Sequence, residues 1–155
     1  MRKKNSIRRP LSPDPKFNST LVTSFVNFLM KDGKKSKAYK IFYDTLDHIQ
    51  TATEQEGLEV WRKALQNVTP SVEVKRRRVG GSVHQVPVEV RPNRKVFLAI
   101  KWIIAEARNR SEKTMMQRLT QEIMAAAQGE GGAIKKKADM HRMAEANRAY
   151  SYMRF

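Results

Sequence analysis

Most of the chain shows helical periodicity, interrupted by short polar breaks. In six segments, apolar residues recur every three or four positions, which places them on one face of an α-helix. The clearest of these faces is formed by Val96, Phe97, Ile100, Ile103, Ile104 and Ala107. The sixth segment, from Ala133 to about Arg148, carries few apolar residues, so we expect that helix to lie on the surface.

Between the third and fourth predicted helices, apolar residues recur at every second position instead of every third or fourth. On both sides of a double glycine, polar residues, charged residues or a proline separate the valines Val72, Val74, Val86, Val88 and Val90. This pattern predicts an antiparallel β-hairpin over about residues 72–90, with its turn around residues 79–82. Pro87 lacks an amide hydrogen, which makes its strand an edge strand. Since two strands are marginally stable alone, the base of the hairpin must pack on the helices.

These elements predict one mainly α domain of about six helices, arranged like a bundle, with a β-hairpin protruding between helices three and four. Its 155 residues suit a single domain. We divide it into an extended basic arm at residues 1–16, a helical domain at residues 17–148 and a tail at residues 149–155. Three prolines prevent helix formation in the arm, which is expected to be disordered alone or ordered on a polyanion.

The charge of the chain indicates that this helical domain binds an anionic partner. The chain has 31 Lys and Arg against 15 Asp and Glu, a net charge of +16. This excess favours binding to nucleic acid, with an anionic membrane surface as the second candidate. No apolar run reaches the roughly 18 residues of a membrane span, and the basic N-terminus lacks the apolar core of a secretory signal. The absence of cysteine excludes disulfides and thiolate metal sites, and it favours a reducing compartment.

Catalytic and metal-binding chemistry has little support in the sequence. His48, His84 and His141 are far apart and fit no metal-ligand spacing. Gly80-Gly81 does not belong to the glycine-rich pattern that opens a helix and holds a phosphate. We therefore predict no enzyme, no cofactor, no metal site and no small-molecule substrate. His84 could stack on a base or contact a phosphate, or it could be a solvated turn residue.

Five clusters of cations indicate where a nucleic acid would bind. They lie in the arm, after the first helix, in the hairpin, at the start of the fourth helix and in the last helix. The start of the fourth helix also offers backbone N–H groups to a phosphate. In the hairpin, strand alternation places Arg76 and Arg78 on one face and Lys75 and Arg77 on the other. We interpret the hairpin end as a probe, because it has no evident role in the fold.

Three blocks of sequence, near the start, middle and end of the chain, are specific in combination. They are DPKFNSTLVTSFVNFLMKDGKKSKA (Asp14 to Ala38), RRVGGSVHQVPVEV (Arg77 to Val90) and HRMAEANRAYSYMR (His141 to Arg154). Together they closely resemble the bacterial and organellar type of the small-subunit ribosomal protein seven family. The resemblance implies a helical domain with a protruding hairpin. It also implies binding to the 3′ major (head) domain of small-subunit rRNA, nucleation of head assembly, and a place at the exit (E) site near tRNA and mRNA.

The resemblance and the charge clusters together give the expected contacts of individual residues. Ribosomal RNA is expected to contact Arg2, Lys3, Lys4, Arg8, Arg9, Lys34, Lys35, Lys37, Lys75, Arg76, Arg91, Arg94, Lys95, Arg110, Lys113, Lys135, Lys136, Lys137 and Arg142. The hairpin end near E-site tRNA and mRNA would comprise Arg77, Arg78, Val79, Gly80, Gly81, Ser82, His84 and Gln85. The tail would contact the neighbouring small-subunit ribosomal proteins nine and eleven through Arg148, Tyr150, Tyr152 and Arg154. The expected location is the ribosome of a bacterial cytoplasm, with an organelle less favoured.

Two other classes of protein remain open from the residues alone. A DNA-compacting or helix-turn-helix protein would gather its cations on one recognition helix, whereas these are spread over an arm, a hairpin and several helix ends. A phosphate-handling enzyme would need a convergent acidic or metal site, and the sequence has no such pattern. A ribosomal protein should instead bind one folded rRNA domain tightly and duplex DNA weakly.

Overall fold

The computed structural model describes residues 10–153 of the chain. In that range, six α-helices and one two-stranded antiparallel hairpin follow each other in the predicted order, with the hairpin between the third and fourth helices. The helices are α1 (Thr20–Leu29), α2 (Lys35–Thr53), α3 (Gly57–Val68), α4 (Pro92–Asn109), α5 (Met115–Gln128) and α6 (Gly132–Ala146). The strands are β1 (Val72–Val79) and β2 (Ser82–Glu89), and a C-terminal 3-10 helix covers Arg148–Met153. The predicted fold class is therefore confirmed.

An aromatic cluster lies at the centre of the helical core. Phe25 of α1, Phe42 of α2 and Trp61 of α3 are fully buried, and their ring centroids lie 5.3–5.5 Å apart. Tilted and edge-to-face pairs at this separation are favourable because the positive ring edge meets the negative ring face. Buried aliphatic residues of α4 and α5, such as Ile103 and Ile123, complete the same core. The first five helices thus share one buried core.

A glycine sets the distance between α2 and α3. A Cβ atom on Gly57 would lie 2.3 Å from the carbonyl oxygen of Leu46, which is far inside van der Waals contact. Gly57 is buried at the first position of α3. The absence of a side chain therefore allows the start of α3 to approach the backbone of α2 closely.

The buried carboxylate of Asp14 attaches the segment before α1 to the helical body. Its Oδ2 accepts hydrogen bonds from the backbone N–H groups of Lys16 (3.0 Å) and Phe17 (2.8 Å), which closes a local turn. Its Oδ1 accepts a 2.6 Å hydrogen bond from the Tyr43 hydroxyl on α2. The last residues of the predicted arm are therefore in contact with the fold. The arm cations that were predicted to contact rRNA, Arg2 to Arg9, lie outside the described residues.

A second buried carboxylate attaches α6. Glu122 of α5 is 1% exposed, and its Oε1 accepts a 2.8 Å hydrogen bond from the backbone N–H of Ala133, in the first turn of α6. Its Oε2 accepts a 2.7 Å hydrogen bond from Arg110, in the loop between α4 and α5. Only Ala133 and Ala144 are buried among the residues of α6, which agrees with the expected surface position of that helix. Glu122 thus holds one end of a helix whose own apolar face is weak.

The Asp14–Tyr43 contact yields a prediction for stability. Burial, and next the hydrogen bond to Asp14, raise the pKa of Tyr43 above its usual value, so the hydroxyl stays protonated and donates. Replacing Tyr43→Phe removes the donor and leaves the Asp14 carboxylate with one partner fewer. We expect the free energy of unfolding, measured by urea denaturation, to fall by about 1–2 kcal/mol.

The matched control is Tyr39→Phe. Tyr39 stacks on Tyr43 at 5.7 Å, and no side-chain hydrogen bond of its hydroxyl is found in residues 10–153. Its replacement should change stability by less than about 0.5 kcal/mol. Equal losses for the two variants would contradict the proposed role of the Asp14 carboxylate.

Candidate nucleic-acid interface

The hairpin is a regular ladder closed by a two-residue turn. Its register pairs Val72 with Glu89 at the base and Val79 with Ser82 at the end. Gly80 and Gly81 have φ values of +58° and +88°, which a tight hairpin turn requires and which side chains disfavour. The double glycine is therefore explained by the turn itself.

Burial divides the hairpin into an anchored base and an exposed end. Val86 is 0% and Val90 2% exposed, and Pro87 is also buried. This base packs on α6 and on the C-terminal 3-10 helix. Towards the turn, Arg76, Arg78, Ser82, Val83 and Gln85 are all exposed. The predicted arrangement, valines at the base and solvated cations at the end, agrees with this pattern.

A buried carboxylate at the hairpin base orients two of the predicted cations. Glu73 is buried on β1, and its carboxylate lies 3.2 Å from Lys75 Nζ and 3.2 Å from Arg94 Nε. The Arg94 guanidinium also lies over the ring of Phe97, 4.7 Å from its centroid. Lys75 and Arg94 remain about half exposed, so the ion pairs fix their positions while leaving them accessible.

A groove with an apolar floor and a cationic rim lies between the α1–α2 turn, α2, α4 and α5. Its volume is about 380 Å³. Leu29, Ala38, Ile41 and Met115 supply the apolar lining. Five cations and one carboxylate surround it: Lys31, Lys34, Lys37, Arg108 and Arg118, together with Asp32. This cationic groove joins two predicted residues, Lys34 and Lys37, to three that the sequence analysis did not single out.

The two arginines of the cationic groove are held by backbone carbonyl groups. Arg108 donates to the carbonyl of Leu29 at 3.2 Å. Arg118 donates to the carbonyl of Arg108 at 3.3 Å and to that of Glu112. Carbonyl acceptors orient a guanidinium without neutralising its charge. Arg118 stands alone in the sequence, and Arg108 is separated from Arg110 by Asn109, so neither belongs to an unbroken run of cations.

Several other predicted rRNA contacts have partners within the protein. Arg110 is half-buried between Glu112 and Glu122, at 3.4 and 2.7 Å. Lys137 donates a 2.6 Å hydrogen bond to the carbonyl of Asn67, and Lys136 lies 3.9 Å from Glu106. Arg142 pairs with Asp139. Arg110 and Lys137 thus have a structural role whatever else they contact.

The remaining predicted cations are on the surface. Exposed side chains belong to Lys35, Arg91, Lys113 and Lys135, and that of Lys95 is half-buried. Lys35 Nζ also lies 5.7 Å from the ring centroid of Tyr39. The arm residues Arg2, Lys3, Lys4, Arg8 and Arg9 and the tail residue Arg154 lie outside the described residues, as does the side chain of Val79.

The predicted tail lies against the hairpin. The rings of Tyr150 and His84 are 4.9 Å apart between centroids, with an interplanar angle of 46°. Tyr152 is 66% exposed, and Arg148 is also exposed. Arg77 is half-buried and faces His84 across the ladder. No sequence pattern indicated the Tyr150–His84 contact, because the two residues lie far apart in the chain.

His141 joins α6 to the start of the hairpin. Its Nε2 accepts a 3.2 Å hydrogen bond from the backbone N–H of Ser71, and the N–H of Val90 bonds to the carbonyl of Ser71 at 3.1 Å. Acceptance at Nε2 requires the neutral imidazole. Burial, and next the nearby charge of Lys137, lower the pKa of His141.

Residues 10–153 contain neither a cluster of metal ligands nor a helix that could cross a membrane. That part of the chain contains no group of three or more His, Cys, Asp or Glu side chains placed to hold a metal ion. None of its helices combines the length and the apolar character needed to cross a membrane.

Comparison with known proteins gives one consistent result. The family model described as ribosomal protein S7p/S5e matches residues 1–148. A protein of Amoebophilus asiaticus is 61% identical over 154 residues, which is 99% of each chain, and one of Cytophaga hutchinsonii is 59% identical over 155 residues, which is all of both chains. A protein of Mesorhizobium japonicum is 53% identical over 154 residues, again 99% of each chain. Each of these relatives is named small ribosomal subunit protein uS7.

The His141 contact predicts how stability depends on pH. Because the folded state lowers this pKa, the unfolded chain binds a proton more readily, and stability falls as pH drops below the usual value of about 6.5. This part of the pH dependence ends once the pH passes below the lowered pKa. We expect urea denaturation between about pH 7.5 and pH 5.5 to show a smaller loss of stability for His141→Gln than for the unaltered protein.

His48→Gln is the control for this experiment, since His48 is exposed on α2. It should show the same pH dependence as the unaltered protein. If His141→Gln also kept that dependence, the neutral state of His141 would not contribute to the attachment of the hairpin.

Proposed function

Since the chain belongs to the ribosomal protein S7p/S5e family, we propose that it binds the 3′ major (head) domain of small-subunit rRNA. As a member of that family, it is a structural component of the small ribosomal subunit in translation and not an enzyme. The observation that carries the proposal is the cationic groove, where five cations from four separate elements surround an apolar floor. Its occupant would be a folded, partly single-stranded segment of RNA.

Physical chemistry favours RNA as the occupant of the cationic groove. Cations on the rim neutralise phosphates and release counterions, which supplies affinity. The apolar floor can contact the face of an unpaired base, a group that RNA exposes in loops and bulges. Because the rim residues come from α2, α4, α5 and the α1–α2 turn, their spacing is fixed by the helical core. A fixed three-dimensional spacing of cations recognises the shape of an RNA fold more than its sequence.

Within the subunit, we place the hairpin end at the E site, close to tRNA and mRNA. The support is its form: an anchored base, a two-residue turn and exposed arginines at Arg76 and Arg78. Arginine suits this place because its planar guanidinium both binds phosphate and stacks on bases. Nucleation of head assembly would follow from binding several RNA segments at once, since the groove is lined by α2, α4, α5 and the α1–α2 turn, whereas the hairpin packs on α6.

The tail is the proposed contact to the neighbouring small-subunit proteins nine and eleven. Tyr152 supports this proposal because a large side chain that is 66% exposed is available to a partner. The place of action would be the ribosome of a bacterial cytoplasm.

A DNA-binding function is the runner-up and has weaker support. A helix-turn-helix protein concentrates its contacts on one recognition helix that enters the major groove. Here the accessible cations are spread over loops, a hairpin and the ends of several helices. That distribution fits a partner that surrounds the protein, as folded RNA does.

Replacing Lys34 and Lys37 together tests the proposal. Both are exposed in the cationic groove, so Lys34→Ala with Lys37→Ala should leave the circular dichroism spectrum unchanged. If each contacts about one phosphate, the slope of log affinity for a head-domain rRNA fragment against log salt should become shallower by about 1.5–2. Affinity at low salt should fall by more than about tenfold.

The matched control removes the same charge elsewhere, through Lys40→Ala and Lys63→Ala, both exposed on helices. This variant should lose much less affinity than the groove variant. Equal losses would mean that only total charge matters, and the groove would not be a specific RNA site.

A further inference from the structure

The C-terminal 3-10 helix touches the hairpin beyond its buried base. The Tyr150 ring meets the His84 ring at a centroid distance of 4.9 Å. Strand register places His84 opposite Arg77, in the third pair from the turn. Tyr150 is half-buried, whereas Tyr152, two residues later, is 66% exposed. The two tail tyrosines therefore differ in environment, and only Tyr150 faces the hairpin through a ring contact in the described part of the chain.

The outer hairpin needs support because a two-stranded ribbon is marginally stable alone. Burial in β2 ends at Val86, which is 0% exposed. Past that point, Gln85, Val83 and Ser82 are exposed, while His84 is half-buried. The Tyr150 ring thus contacts β2 at His84, which lies outside the buried part of that strand.

The same C-terminal region also fixes the start of the hairpin. His141 on α6 accepts a hydrogen bond from the N–H of Ser71, the residue before β1. The chain then passes from α6 into the 3-10 helix within two residues. One continuous segment, residues 141–150, therefore contacts the hairpin at its base and again three pairs from its turn. Two separate contacts restrict both the position and the direction of a ribbon, which one contact does not.

We propose that Tyr150 is a positioning residue that holds the outer hairpin through His84. The hairpin cations then meet RNA from a fixed direction, and less conformational entropy is lost on binding. The functional part of this inference rests on the proposed place of the hairpin near tRNA. It divides the tail into two roles: Tyr150 acts on RNA binding through the hairpin, and Tyr152 remains available to a protein partner.

Hydrogen exchange on the free protein tests the contact without any RNA. Tyr150→Ala should accelerate exchange of the ladder amides in residues 76–78 and 83–85 by about threefold to tenfold, the range expected for loss of one ring pair. Amides of α4 should be unaffected. Tyr150→Phe keeps the ring and should restore protection, and the control Tyr152→Ala should leave exchange unchanged. Equal effects of Tyr150→Ala and Tyr152→Ala, or no effect of Tyr150→Ala, would overturn the proposal.

A double-variant cycle in reconstituted small subunits tests the functional part. The measured quantity is the affinity of deacylated tRNA for the E site. Tyr150→Ala should weaken it severalfold, with rescue by Tyr150→Phe, and Arg76→Ala with Arg78→Ala should also weaken it. If Tyr150 acts through the hairpin, adding Tyr150→Ala to the arginine variant should cost less than about twofold more, because residues that act as a unit are non-additive.

The cycle distinguishes failure of the positioning role of Tyr150 from failure of the proposed place of the hairpin near tRNA. Fully additive losses would mean that Tyr150 contacts a partner directly, which overturns its positioning role. If the arginine variant binds tRNA like the unaltered protein, the proposed place of the hairpin is wrong. In that case the exchange experiment alone decides whether Tyr150 holds the outer hairpin.

Discussion

Repulsion among the cations is the constraint on which the rest of the structure depends. The chain carries a net charge of +16 in 155 residues, and each cation must be paired, separated or left for a partner. Buried carboxylates pair with a few, as Glu73 does with Arg94 and Glu122 with Arg110. Elsewhere, the backbone carbonyl of Leu29 orients Arg108 without neutralising its charge. The fold thus neutralises cations where helices and strands must join and leaves charge where an RNA can supply the counterion.

The helical core supplies the rigidity that these cations need. The buried Phe25–Phe42–Trp61 cluster locks α1, α2 and α3 together, and α4 and α5 pack on the same core. Elements with a weaker apolar face are also attached through polar groups: α6 through Glu122 and the hairpin, beside its buried valines, through His141. A polar attachment is specific in direction but sensitive to pH or to removal of one partner. The groove on the helical core and the attached hairpin are therefore two different kinds of surface, and RNA binding is proposed for both.

The sequence could predict the elements because their signals are local. Apolar residues with a period of about 3.6 identified the six helices, and alternating valines identified the two strands of the hairpin. The Gly80-Gly81 turn lies between these two strands. What could not be predicted are contacts between residues distant in the chain. Arg118 is an isolated cation in the sequence, and α5 brings it to the same groove as Lys34; Arg110 resembles a surface cation in the sequence, and the fold places Glu122 beside it. Charge runs locate exposed cations, whereas the partners that orient them emerge only from tertiary packing.

The most direct test of the account is the affinity of the protein for a head-domain rRNA fragment and for duplex DNA of equal length, measured across a salt series. With roughly six to ten phosphate contacts, affinity for either polyanion should fall by about three to five decades between about 50 and 200 mM salt. The account predicts that the rRNA fragment still binds far more tightly than DNA at the higher salt, because a fixed arrangement of cations recognises RNA shape. Equal affinities that decline together would contradict it, since the charge would then attract any polyanion.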